Sequence, residues 1–188
     1  MQVSESAMVA GALEGDRDAF RLLVEKHSRA VYRLAYRITG NRQDAEDVVQ
    51  ESFLRAYRQL HRYESRAAFG TWIFRIAGNC ALDVVRARKR RVDGGTNEHA
   101  LAAAAEGPCQ DQLLFSDEIR RRLHRVMEDL TPQERLAFSL RHVDGRSIEE
   151  IGAVLGTGGN ATKNSIFRAV QKLRKGLEPL VRQRNGEA

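Results

Sequence analysis

Apolar residues recur along this chain at three- and four-residue intervals, with almost none of the strict alternation that a half-buried strand requires. A short first helix is expected to end at Gly15-Asp16, which also opens the next one. Phe20, Leu23 and Val24 lead into Val31, Leu34, Ala35 and Ile38 at helical spacing, with a break expected near His27. The pair Gly40-Asn41 reads as a C-cap, since glycine and asparagine tolerate the left-handed conformation that ends helices. A second helix is expected from about Gln43 to Leu60, with Ala45, Val48, Val49, Phe53, Ala56 and Tyr57 as its apolar face. A third runs from Ala67 or Ala68 to Arg90 and carries Phe69, Trp72, Ile73, Ile76, Ala77, Leu82 and Val85. Three long amphipathic helices predict a compact bundle.

The pattern lapses between Val92 and Gln112. This stretch holds Gly94-Gly95, the run Ala102 to Ala105 and Gly107-Pro108, with too few large apolar residues to order itself, and reads as a flexible linker. Helical spacing resumes from Leu113 to Leu130. Thr131-Pro132-Gln133-Glu134 then combines an N-cap, a proline at the first helical position and a capping-box glutamate. That helix should end by Asp144-Gly145. Ser147-Ile148-Glu149-Glu150 is a second capping box, opening a short helix to Leu155. A glycine-bearing turn from Gly156 to Gly159 leads to a last helix from Asn160 to Leu177, with Pro179 marking its end. Short helix, turn and longer basic helix make a helix-turn-helix. The expected fold class is all-α: an N-terminal bundle and a C-terminal helix-turn-helix domain on a flexible linker.

Charge sharpens this division. The 188 residues carry a formal net charge of +6. Residues 1–91 contribute +6, residues 92–112 contribute −4 and residues 113–188 contribute +4, so two basic bodies flank an acidic connector. A basic balance favours an anionic partner. No apolar run approaches the ~20 residues that span a bilayer, and residues 1–10 do not read as a secretory signal, so no membrane insertion and a cytoplasmic location are expected. Cys80 and Cys109 are too few for a disulfide scaffold and read as unpaired thiols.

Three groups of residues stand out chemically. Lys163, Asn164, Arg168, Lys172, Arg174 and Lys175 line the last helix, whose start can reach base edges while its later cations meet phosphates. Asp44, Asp47 and Glu51 fall at i, i+3 and i+7 with Gln50 beside them, an acidic face that suits a basic protein partner. Asn79, Asp83 and Arg86 share a helix face that runs into five basic residues among Arg86 to Arg91, a phosphate footprint. The polar loop His61 to Arg66 lies just upstream. Beside such a surface it suits single-stranded DNA, with Phe69 and Trp72 reading more as core or groove wall than as stacking platforms.

At these residues the sequence resembles the extracytoplasmic-function (ECF) sigma factors of the sigma-70 family. Asp44-Ala-Glu-Asp-Val-Val-Gln-Glu-Ser-Phe53 is similar to that family's polymerase-clamp helix, and Phe69 to Asn79 with Asp83 and Arg86 to its promoter-melting helix. Leu130 to Arg135 and Ser147 to Arg174 resemble its C-terminal DNA-binding domain. The resemblance implies three segments: residues 10–91 for polymerase binding and minus-ten recognition, 92–112 as acidic linker, and 113–180 for minus-thirty-five recognition. It places Asp44, Asp47, Gln50 and Glu51 on the β′ clamp coiled coil of core RNA polymerase. It places Tyr63, Glu64, Ser65, Arg66, Trp72, Asn79, Asp83, Arg86 and Arg90 on the minus-ten DNA. Lys163, Asn164, Phe167, Arg168 and Lys172 fall on the minus-thirty-five DNA. The implied partners are core polymerase (including its β flap), promoter DNA and an anti-sigma factor, with no cofactor, no metal and no catalytic residue.

The recognition turn departs from the family pattern. Thr162 stands where an apolar core residue is usual, Ser165 where arginine is frequent, and Gly158-Gly159 is expected to loosen the turn. Two rival readings follow from the residues: a free-standing helix-turn-helix regulator, and a metal-dependent nuclease using Asp44, Glu46, Asp47 and Glu51.

Overall fold

The computed structural model describes residues 4–64, 68–93 and 117–186, and among these the ordered elements are helices without a strand. The chain divides into two compact units, one built on the first four helices and one chiefly on the last four.

In the first unit the first three helices start where a short polar side chain answers a free backbone N–H. The Ser4 hydroxyl accepts from the Ala7 amide at 3.2 Å to open α1 (Glu5–Leu13). Asp16 accepts from the Asp18 and Ala19 amides at 2.8 and 3.2 Å to open α2 (Arg17–Thr39). Asn41 accepts from the Asp44 amide at 3.0 Å to open α3 (Arg42–Gln59). Asn41 therefore belongs to the start of α3, and Gly40 alone closes α2 at φ +67°, a conformation other residues rarely adopt. The expected break near His27 does not occur: Leu23 and Val31 are both fully buried, and one continuous stripe holds α2 helical through His27. A 3₁₀ turn, Leu60–Arg62, follows α3, and α4 runs Phe69–Asp93, taking up the first two residues of the expected linker.

Helices α2, α3 and α4 pack pairwise, with α1 lying on α2. Their shared core includes Leu23, Leu34, Ile38, Val48, Phe53, Phe69, Ile73 and Ala77, each contributing roughly 1.5–3 kcal/mol if large and fully removed from water. Tyr57, expected on the buried face, is 47% exposed and meets Phe20 edge-on with ring centroids 5.0 Å apart. Its polar tip keeps it at the rim.

The second unit comprises α5 (Asp117–Glu128), α6 (Pro132–Phe138) continuing into a π turn (Ser139–Val143), α7 (Ile148–Leu155) and α8 (Gly159–Gly186). Both capping boxes form. Thr131 and Glu134 exchange bonds of 3.2 and 2.9 Å, and Ser147 and Glu150 bonds of 3.1 and 2.9 Å. Val126, Leu130, Ala169 and Leu173 form a core flanked by Leu123, Met127, Phe138 and Leu177. Helix α8 passes Pro179 and ends at Gly186, not near Leu177: the proline forgoes the bond its own amide would make, and the backbone stays helical on both sides of it. The linker from residue 94 onward, with Cys109, and the expected helix start at 113–116 lie outside the described residues.

Candidate polymerase and nucleic-acid interfaces

Helix α3 buries Ala45, Val48, Ser52 and Ala56 and turns its polar residues outward. Asp47 and Gln50 are exposed, whereas Asp44 and Glu51 are half-buried. Glu51 pairs with Arg55 one turn on, and the Gln43 amide lies 3.4 Å from Asp47. Asp44 sits in the first turn, where the helix dipole favours a carboxylate. The four residues do share one face. Leu54, 44% exposed, lies one turn beyond Gln50 and Glu51 and adds an apolar contact to that face. Its offset of seven from Asp47, the same helical stripe, is the sequence signal for it.

Helix α4 buries Ile73, Phe74, Ala77, Cys80 and Ala81, which leaves Arg75, Asn79, Asp83, Arg86 and Arg90 exposed at successive helical offsets. Asp83 and Arg86 are 3.6 Å apart. Arg75 is the member that sequence reasoning missed; its spacing of four from Asn79 is the signal. Arg88, Lys89 and Arg91 are exposed as well, so the end of α4 carries the basic run outward.

Upstream of this stripe is an aromatic wall. Tyr63 meets Trp72 and Phe69 with centroids 5.3 and 5.8 Å apart, and Phe69 meets Trp72 at 5.5 Å. Phe69 is 1% and Trp72 9% exposed, so both are wall, and Tyr63 is the half-buried ring at its edge. Burial, and then the charge of Glu5, hold the Tyr63 phenol above its ordinary pKa. The wall is buttressed from α2, where the His27 ring lies 5.4 Å from Phe69, and from α1, where Glu5 lies 3.2 Å from His27 and 2.6 Å from Lys26. Burial alone would raise the Glu5 pKa, but the bond from Lys26 and the charges of His27 and Lys26 outweigh it and lower the pKa. Glu64 is exposed; Ser65 and Arg66 lie outside the described residues.

In the second unit Lys163, Asn164, Phe167 and Arg168 are exposed on the first turns of α8, with Phe167 62% exposed. Lys172 differs. Its ammonium lies 2.7 Å from Glu134, whose side chain is 8% exposed, and 3.4 Å from the Asp129 carbonyl. The pair joins α8 to α6 and answers part of the Lys172 charge, while the lysine side chain stays 42% exposed. The Ser165 hydroxyl turns back on the Ala161 carbonyl at 3.1 Å. In the turn, Gly156 has φ +65°, whereas Gly158 and Gly159 have neither positive φ nor any atom close enough to exclude a side chain.

Among the described residues no three His, Cys, Asp or Glu side chains are grouped to hold a metal, and no helix is long and apolar enough to cross a membrane. The Cys80 thiol is buried and, largely for that reason, held above its ordinary pKa.

Two family models match the chain, Sigma-70 region 2 over residues 23–91 and Sigma-70 region 4 over residues 120–173. The chain is 35% identical over 189 residues to the ECF RNA polymerase sigma-E factor of Salmonella typhimurium, covering 97% of this chain and 98% of that protein. Among solved structures it is similar to CnrH in complex with the cytosolic domain of CnrY, at 27% identity and a TM-score of 0.65, over 92% of this chain and 96% of that one. It shares its fold with the sigma factor RpoE of Bartonella quintana, in complex with the anti-sigma factor NepR, at 22% identity and a TM-score of 0.70, over 85% of this chain and 96% of that one.

Proposed function

The chain belongs to the sigma-70 family, in its extracytoplasmic-function branch, and from that premise we propose a division of labour between its two units. It is an alternative sigma factor: it binds core RNA polymerase and directs promoter-specific initiation. In our reading Asp44, Asp47, Gln50 and Glu51 meet a basic coiled coil of the polymerase, the place where an acidic face on a basic protein is useful. The loop after Tyr63 and the stripe through Asn79, Asp83, Arg86 and Arg90 engage the opened minus-ten strand. Arg75 joins that set. Lys163, Asn164, Phe167 and Arg168 read the minus-thirty-five duplex, and Lys172 is a tie within the domain.

The observation that carries this reading is the coexistence of both family regions on one chain, with an exposed carboxylate face on α3. A free-standing helix-turn-helix regulator needs only the second unit and has no use for that face. The chemistry of RNA synthesis resides in the polymerase; this chain supplies recognition and strand separation without catalysis, in the cytoplasm where that enzyme works. An anti-sigma factor is a further proposed partner, supported by the complex in which the Bartonella quintana sigma factor was solved. The deciding experiment is co-purification with core polymerase at low salt followed by run-off transcription from a mapped promoter. Absence of core binding refutes the reading.

A further inference from the structure

Helix α8 begins after Gly158 and includes Gly159, two residues with the greatest backbone freedom, beside the side chains assigned to base reading. Something must limit that freedom if Lys163 and Asn164 are to leave the helix in a fixed direction. The structure supplies a polar joint. Thr162 is fully buried, and its hydroxyl donates to the Gly158 carbonyl at 3.1 Å, the same oxygen that receives the Thr162 amide at 3.0 Å. The single hydroxyl proton is spent there. With that proton on Gly158, the Thr157 hydroxyl 3.0 Å away is the donor to Thr162.

A helical threonine bonding the carbonyl four residues back is common in itself. The second partner, from the preceding turn, is what makes a joint. Helix α7 contributes the space: a Cβ on Gly152 would stand 2.8 Å from the Thr157 carbonyl oxygen and 3.2 Å from Thr162 Oγ1. The Thr157 amide in turn donates to the Gly152 carbonyl at 3.0 Å. Helix, turn and helix thus meet at Gly152, Thr157 and Thr162. An apolar residue at 162 would fill the volume but leave the Gly158 carbonyl with the Thr162 amide alone and the Thr157 hydroxyl without its acceptor.

We propose that Thr162, with Thr157 donating to it and Gly152 making room for both, is a positioning residue for promoter recognition, fixing the direction in which Lys163 and Asn164 leave the first turn of α8. This rests on the reading that α8 faces the minus-thirty-five duplex. The test uses the full chain and a duplex that the wild-type chain selects from a pool randomised at that element. Binding is measured to the selected duplex, to each single-base-pair substitution of it and to a scrambled duplex, with thermal unfolding alongside.

Thr162→Val keeps the volume and removes the hydroxyl. It should lower discrimination at the positions read from the first turn by about tenfold. Affinity for the scrambled duplex and the salt dependence should stay as in wild type, because phosphate contacts are untouched. Thr162→Ser should retain wild-type discrimination. Thr157→Val breaks the shared bond from the turn side and should show part of the same loss, and the double variant should be no worse than Thr162→Val alone. Wild-type discrimination by both valine variants overturns the proposal, as does a loss in Thr162→Ser equal to that in Thr162→Val. If the wild-type chain selects no sequence, or Arg168→Ala leaves selection intact, the assignment of α8 itself falls and the proposal falls with it.

Discussion

Lys172 and Glu134 are thirty-eight residues apart in sequence and join α8 to the first turn of α6 through a 2.7 Å ion pair. Glu134 also accepts the Thr131 amide, so one carboxylate closes a capping box and anchors the DNA-facing helix. Removing Lys172 leaves a nearly buried carboxylate with only its capping partners. Lys172→Met is therefore expected to destabilise the second unit by about 1–3 kcal/mol while leaving discrimination among minus-thirty-five sequences intact. Denaturant unfolding and duplex binding, run on the same variant, separate these effects. A variant of wild-type stability that loses sequence discrimination would restore Lys172 to the DNA contacts.

The same pair gives a pH dependence. Burial alone would raise the Glu134 pKa, but the bonds from Lys172 and the Thr131 amide outweigh it and hold the pKa below the ordinary carboxylate value. A carboxyl depressed on folding contributes stability that is fully present above the unfolded value and is lost as pH falls through the folded one. Glu5, also lowered below 4.5, does the same for the first unit through Lys26 and His27. Acid unfolding should thus steepen below about pH 4.5, and Glu5→Gln should flatten the acid limb for the first unit alone. Unfolding midpoints at pH 3, 4, 5 and 7, followed by Trp72 fluorescence for the first unit and by far-ultraviolet circular dichroism for the whole chain, test both effects.

Much of this was legible in advance because local rules acted alone. Both capping boxes, the Gly40 cap and the three amphipathic stripes of the first unit are short-range signals; the boxes formed as read, and the rest did so apart from Asn41, the unbroken α2 and Tyr57. The residues whose surroundings were not legible depend on partners outside their own helix. Lys172 looks like any exposed cation until α6 brings Glu134 beside it. Thr162 looks like a defect in an apolar position until the Gly158 carbonyl and the Thr157 hydroxyl meet its hydroxyl. Tyr57 satisfies the α3 periodicity, yet Phe20 holds it at the rim. Periodicity assigns a face; it does not say which member of that face sits at the edge. Arg75 and Leu54 were missed for the converse reason, since each is unremarkable until its neighbours on the stripe are assigned a partner.

Gly176 illustrates a constraint with no sequence signature beyond the glycine itself. A Cβ there would lie 2.4 and 2.7 Å from the two methyls of Val126 on α5, closer than atoms pack. Helices α5 and α8 thus approach at a point only glycine allows. The Arg122 guanidinium donates to the Gly176 carbonyl at 3.1 Å and adds to the contact. Gly176→Ala should destabilise the second unit by about 1–3 kcal/mol through overpacking, despite alanine's better helix propensity. Gly176→Ala combined with Val126→Ala should recover part of the loss, because the clashing methyls are gone. Stability unchanged in the single variant would show that α5 packs differently in solution.

Charge reversal on α3 tests the first unit. Asp47 is exposed and its only described contact, the Gln43 amide at 3.4 Å, is long, so Asp47→Arg should leave the fold unchanged within about 0.5 kcal/mol. Against a basic coiled coil the new arginine adds repulsion to the loss of an attraction, and affinity for core polymerase should fall at least about tenfold. Glu51→Lys should act similarly but also sacrifice the Arg55 pair, so Asp47 is the cleaner probe. The loss should be larger at low salt than at high salt, because screening weakens charges in a solvated interface. Competition of Asp47→Arg against the wild-type chain for limiting core polymerase, at two salt concentrations, reads the effect. Undiminished competition at low salt would move the polymerase contact off this face and leave the carboxylates of α3 as a solvated surface.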